Sequence, residues 1–178
     1  MKKTVLYLLA ALLATGCTVV RQGEVGVKSK LGRLSDKTHN PGPVAYFPIM
    51  QRVIKVPVRT TNVEVTLDLP SKEGLTINTN VSILYHIKPE MAASVLENIG
   101  RNYQNVIILS VFRSAAADVS ARFYAKDMHS GERALIEKEI AMAMDKIVAS
   151  RGFVIESVLL KSIKLPEGLS RAIESKLE

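Results

Sequence analysis

The chain has 178 residues, 47% of them hydrophobic, with one cysteine, no tryptophan and a formal charge of +7. A single cysteine excludes an internal disulfide framework, so the folded part must hold together by burial alone. The basic residues never form a run of three and lack interleaved aromatic and glycine signatures, which excludes a nucleic-acid module and leaves a solvated, membrane-proximal surface as the reading of the charge.

The first stretch sets the address. Lys2 and Lys3 precede an uncharged run from Thr4 to Ala14, and Ala14-Thr15-Gly16-Cys17 follows. A positive start, a short apolar centre and small residues at the cut are the layout of a secretory signal. The small residues lead into the sole cysteine, an arrangement that resembles the lipobox of bacterial lipoproteins, in which the thiol takes a lipid and cleavage falls just before it. On this reading residues 1–16 are a signal peptide and Cys17 is the lipidation site. The alternative is an uncleaved signal anchor, because the uncharged run extends to Val20 and so just reaches the length of a spanning helix, about 17 residues. Both readings keep the lysines on the cytoplasmic side and export the body of the chain to the periplasmic side of a membrane.

Beyond the signal about 160 residues remain, enough for one domain or two small lobes. From Glu24 to Leu34 apolar and polar residues alternate, which predicts one half-buried strand with Val25, Val27, Ser29 and Leu31 on a single face. Asn40-Pro41-Gly42-Pro43 predicts a turn, and Tyr46–Ile49, broken by Pro48, an irregular lid or edge. Arg52–Val58 and Asn62–Leu69 have period two, and Pro57, which has no N–H to donate, marks the first as an edge strand. Pro70–Gly74 is a second turn cluster, with Glu73-Gly74 read as a hairpin turn. The longest strand follows, its inner face being Ile77, Thr79, Val81, Ile83, Tyr85 and Ile87.

Pro89 opens a helix of about ten residues that Gly100 closes. Tyr103–Tyr124, free of Pro and Gly, predicts one long helix with a close-packing patch at Ala115–Ala117. Ser130 is the expected N-cap of a helix over Gly131–Ser150 whose apolar stripe is Ile136, Ile140, Ala143, Met144 and Ile147, with Gly152 as its terminator. Phe153–Ile163 predicts a last strand, and Pro166 a final helix. The order predicts an α+β fold, a mainly antiparallel sheet with packed helices. The domain spans residues 17–165, in lobes of about 19–69 and 70–165, and residues 166–178 start the C-terminal helix.

The motifs Glu24-Val25-Gly26-Val27, Pro41-Gly42 with Phe47-Pro48, Val58-Arg59-Thr60, Ser71-Lys72-Glu73-Gly74-Leu75-Thr76-Ile77-Asn78, Tyr85-His86-Ile87 and Ala172-Ile173-Glu174-Ser175-Lys176 occur in that order. The ordered set resembles the prohibitin–stomatin group, the SPFH or band 7 domain. The resemblance implies a membrane-anchored scaffold that assembles into homo-oligomeric rings or cages and organises membrane lipids or membrane proteases. The alternative is a regulatory subunit that binds a membrane protease or transporter.

The residues themselves suggest no chemistry. His39, His86 and His129 have no second ligand at helical spacing, so no metal is expected. Glu137 and Glu139, about 200° apart on a helix, cannot act as a carboxylate pair. No glycine-rich loop follows a strand, and Cys17 sits at a junction rather than in a pocket with a base. The expectation is no enzyme and no cofactor. In the tail, Leu165, Leu169, Ile173 and Leu177 recur every four residues and make one apolar edge. That edge either docks on its own domain or begins a coiled coil with a neighbour. The resemblance favours the neighbour and makes Leu169, Ile173 and Leu177 the expected self-association residues.

Overall fold

A computed structural model describes residues 16–129 and 131–164. These form two units, one ending its first segment at Arg59 and regaining Ile87–Arg101, the other comprising Thr60–His86 and the chain from Asn102 onward. The division expected near residue 70 therefore falls at Arg59, and the segment after the longest strand returns to the first unit. Sequence periodicity carries no information about such a return.

In the first unit β1 (Gly16–Val20) pairs antiparallel with β4 (Gly42–Tyr46), and β2 (Glu24–Lys30) lies between β3 (Arg33–His39) and β5 (Gln51–Pro57). The single strand expected over Glu24–Leu34 is instead a hairpin. Leu31 and Gly32, at φ 48° and 88°, form a two-residue loop of the kind that follows the strand twist, and Lys30 faces Arg33 across it. Leucine is a poor choice for positive φ, which is why the turn is silent in the sequence. Its amide is satisfied by the Met50 carbonyl at 3.0 Å. The expected turn at residues 40–43 is shortened, because Gly42 and Pro43 already belong to β4, facing Val20 and Val19. The uncharged run also ends differently from a helix, since Gly16–Val20 are extended and paired.

Val20, Val25, Val27, Val44 and Val56 form the core of this unit. At Gly26 a Cβ would come within 2.8 Å of the Val20 side chain, so glycine lets β1 cross closely over β2. Pro57 does stand on an edge strand, β5. A 3₁₀ turn at Pro89–Met91 leads into α1 (Ala92–Asn98), which packs Ala92, Ala93, Val95 and Leu96 and stops at Gly100, φ 91°.

The second unit contains β6 (Thr61–Pro70), β7 (Thr76–Ile87) and β8 (Phe153–Lys164), with β7 central. The β6–β7 ladder is antiparallel from Thr61↔Tyr85 to Pro70↔Thr76. Its loop is the expected hairpin turn: Ser71 N–H donates to the Leu75 carbonyl, and Leu75 N–H donates to Ser71 Oγ. The predicted inner face of β7 is buried throughout, each of its six residues being at most 1% exposed. Thr79, the polar member, donates its hydroxyl to the Ser162 carbonyl at 2.9 Å.

The long helix expected over Tyr103–Tyr124 is divided. A π-helical turn, Gln104–Leu109, precedes α2 (Ser110–Ser120), a turn follows, and α3 (Ala125–His129) begins afresh. The break has a tertiary cause, for Lys72 N–H donates to the Phe123 carbonyl and Glu73 Oε1 accepts the Ala125 N–H at 3.0 Å, capping α3 from a hairpin distant in sequence. α4 (Arg133–Val148) buries Ile136, Ile140, Met144 and Val148 at a strict four-residue interval. Val148 replaces the expected Ile147, which is 45% exposed. The N-cap position falls to Glu132 rather than to Ser130, which lies outside the described residues.

α4 lies along β8, the edge of its sheet. Glu137 Oε1 accepts the Leu160 N–H at 2.7 Å, Asp145 Oδ1 accepts the Ile155 N–H at 3.4 Å, and Arg133 Nη2 reaches the Lys161 carbonyl at 3.5 Å. One helix thus satisfies edge backbone groups that would otherwise invite a foreign strand.

Two expectations follow. Ile140 is wholly buried while Lys138, on the same helix, is exposed. Ile140→Asp buries an unpaired carboxylate at a cost of several kcal/mol against a total stability of about 5–15 kcal/mol, so it should unfold or aggregate the domain. Lys138→Asp should leave the melting temperature within a few degrees of the parent, and equal melting temperatures for the two variants would contradict the helix phase.

Burial pushes the Tyr85 and Tyr103 phenols above their ordinary 10.0, and Tyr103 adds to the shift at Tyr85. The folded chain keeps protons that the unfolded chain releases from about pH 10, so this stability is complete below that pH and lost as pH climbs toward the folded values. Melting temperature should fall above about pH 10, and less steeply in Tyr85→Phe, as thermal scans across that range would show.

Candidate functional site

Cys17 is the second residue of β1, opposite Ala45, and its side chain is exposed. The alternation along the strand explains this: Cys17 and Val19 face outward while Val20 enters the core. Gly16 is confined, since a Cβ there would lie 3.1 Å from Pro48 and 3.2 Å from the Tyr46 ring. The chain therefore enters its first strand against the end of β4, with the one thiol directed to solvent rather than into a pocket. Such a thiol is open to modification.

The same end of the first unit carries an unusual surface. The turn Phe47–Met50, closed by Met50 N–H and Gln51 N–H on the Phe47 carbonyl, exposes Phe47, Ile49 and Met50. The β2–β3 loop lies beside it and exposes Leu31. Phe47-Pro48 is one of the quoted motifs, but nothing in the sequence joins it to Leu31 in a patch. Its only local signals were a Leu-Gly pair and a proline-broken apolar run.

His86, Glu64 and Glu137 have structural partners. His86 Nδ1 lies 2.6 Å from Glu156 Oε1, which also accepts the Thr60 hydroxyl at 2.9 Å. His39 is in β3 of the other unit. Glu64 is paired with Lys161, whose ammonium, by hydrogen bond and charge, holds the Glu64 carboxyl below its usual range. Glu137 is a backbone acceptor. Among the described residues no three His, Cys, Asp or Glu side chains come together as a metal site, and no helix is long and apolar enough to cross a membrane. Leu169, Ile173 and Leu177 lie outside the described residues.

The SPFH domain / Band 7 family matches residues 18–178. The chain belongs to this family. It is 25% identical over 164 residues to stomatin-like protein 3 of Mus musculus, covering 90% of this chain and 55% of the relative. It is 23% identical over 130 residues to mitochondrial prohibitin complex protein 1 of Caenorhabditis elegans, 73% of this chain and 47% of the relative. Stomatin-3 of the same nematode matches at 23% over 162 residues, 90% of this chain and 59% of the relative. The chain thus spans about half the length of the curated relatives it matches.

Within this SPFH domain several of the quoted motifs are packing and turn elements, and Ala172-Ile173-Glu174-Ser175-Lys176 lies outside the described residues. Val25-Gly26-Val27 is the buried centre of β2, Ser71–Gly74 the β6–β7 turn, and Tyr85 the aromatic of β7 set against Phe153 at 6.2 Å between ring centroids. The SPFH match begins at residue 18, immediately after the exposed cysteine.

Proposed function

We propose that this SPFH protein is a membrane-anchored scaffold, held by lipid on Cys17 with its body on the exported side, which self-assembles and organises membrane lipids or proteins. The observation that carries this reading is the position of Cys17: the only cysteine, exposed in the first strand, preceded by small residues and a short uncharged run, and next to the start of the family match. A thiol at the boundary between a signal and a domain suits an anchor. Stable attachment takes two or more acyl chains, each buried CH₂ contributing about 0.8 kcal/mol.

Self-assembly is supported by two features. The apolar edge of Leu169, Ile173 and Leu177 has the spacing of a helical seam. Leu135 and Met142, seven residues apart on α4, are both about half exposed on one outward side of that helix, with Lys138 and Glu139 between them. The name of the nematode prohibitin relative refers to a complex, and assembly is extended to this chain as part of the proposal. A scaffold needs surfaces and an address, and on this reading the first seventeen residues and the tail of the sequence supply them.

Intact mass of the membrane-extracted protein should lack Met1–Gly16 and carry lipid on Cys17, and Cys17→Ser should accumulate as precursor. An unmodified full-length chain in native membranes would replace the lipid anchor by the signal anchor.

In mild detergent the parent should form many-subunit particles by light scattering. Ile173→Lys combined with Leu177→Lys should reduce them to small species with an unchanged melting temperature. Monomers alone at concentrations above about 10 µM, where weak self-contacts already register, would transfer the reading to a regulatory subunit of a membrane protease or transporter.

A further inference from the structure

The geometry points to a second membrane contact in this protein: the β2–β3 loop and the Phe47–Met50 turn form an apolar wedge with a basic rim that seats in the headgroup layer of an anionic leaflet. The inference rests on the anchoring proposed above and deepens it. Leu31 is 75% exposed, Ile49 78%, Met50 50% and Phe47 42%. They share one end of the first unit because Leu31 N–H is bonded to the Met50 carbonyl and Lys30 pairs with Gln51 at the start of β5. Aliphatic side chains held on short rigid loops do not collapse onto their own core. Such a patch marks an interaction surface when polar groups surround it.

Here the surrounding groups are cations. Lys30 and Arg33 flank the loop as a cross-strand pair, and Arg52 and Arg101 border the shallow groove between Leu31 and Ile49. All four are exposed, and none is in an ion pair among the described residues. No acidic residue lines that groove. Long basic side chains can lie along an apolar surface and place their charge among lipid phosphates, which attract them within a Debye length. A second copy of the patch is a poorer occupant, because a two-fold contact would bring the two sets of cations together.

The path of the chain adds a second, independent reason. Gly16 begins β1 against Pro48 and Tyr46, so the first described residue stands at the wedge, and Cys17 follows at once. An anchor on Cys17 or upstream brings this end of the unit, rather than the opposite end at Gln22 and Pro57, to the bilayer. Attachment then restricts the wedge to the immediate neighbourhood of headgroups, where even a weak contact is populated.

The chain has no tryptophan, so a single introduced one reports its own surroundings. Ile49→Trp and, at the other end of β2, Gln22→Trp are made in the full chain, extracted from membranes and reconstituted into phosphatidylcholine vesicles with and without phosphatidylglycerol, using brominated acyl chains as quencher. With phosphatidylglycerol, emission from the Ile49→Trp variant should shift to the blue and fall by about twofold or more relative to unbrominated vesicles, as for a side chain at the acyl boundary. Emission from the Gln22→Trp variant should be unaffected. Adding Lys30→Glu and Arg33→Glu to Ile49→Trp should abolish the quenching while flotation with the vesicles persists. Flotation of the Ile49→Trp variant without quenching overturns the wedge and leaves the anchor standing. Equal quenching at both positions overturns it too, since the unit would then lie flat. A blue shift that is unquenched and depends on protein concentration assigns the patch to a second copy, and loss of flotation overturns both the wedge and the anchor.

Discussion

The burial of one face of β7 is the constraint on which the second unit depends. Ile77, Val81, Ile83, Tyr85 and Ile87 are at most 1% exposed, and β7 is also bonded along both edges, to β6 and β8. A strand in that position can shift by one residue only by exchanging its whole buried face for Asn78, Asn80, Ser82 and His86. The register of β6 follows from it, and so does the site where the helices must land. Phe153, the first residue of β8, closes the arrangement between the rings of Tyr85 and Tyr103.

Satisfying polar groups decides the rest. A three-stranded sheet has exposed edges, and here α4 covers one of them with carboxylates that accept backbone N–H groups. Glu73 does the same for the start of α3, and Thr79 meets the Ser162 carbonyl inside the sheet. Each unmade bond of this kind in a buried setting costs about 1–3 kcal/mol, comparable to a sizeable share of a domain's net stability. Glu73, Glu137 and Asp145, which look like surface charge in the sequence, therefore have fixed backbone partners.

The first unit uses small residues and tight turns to present one end of itself. Gly26 permits β1 to approach β2, Gly16 fits against Tyr46 and Pro48, and the loop at Leu31–Gly32 accepts positive φ at both positions. The gain from these local costs is a rigid, apolar end next to the cysteine.

The sequence by itself determined the family, the antiparallel α+β class, the inner face of β7, the stripe Ile136–Ile140–Met144 and the edge position of Pro57. The family is carried by the ordered motifs through resemblance, while the faces, the stripe and the edge are written in periods of two or nearly four residues, or in the missing N–H of proline, and need no knowledge of distant neighbours. Only the tertiary structure decided the pairing of β1 with β4, the hairpin at Leu31–Gly32, the division of the helix after Ser120 and the return of Ile87–Arg101 to the first unit. Each depends on a partner far away in sequence: Ala45 for Cys17, Met50 for Leu31, Lys72 and Glu73 for the 123–125 backbone. The candidate site divides in the same way. The expectation for Cys17 comes from a local pattern, small residues after an uncharged run, whereas the apolar end beside it exists only because two separate turns are bonded together.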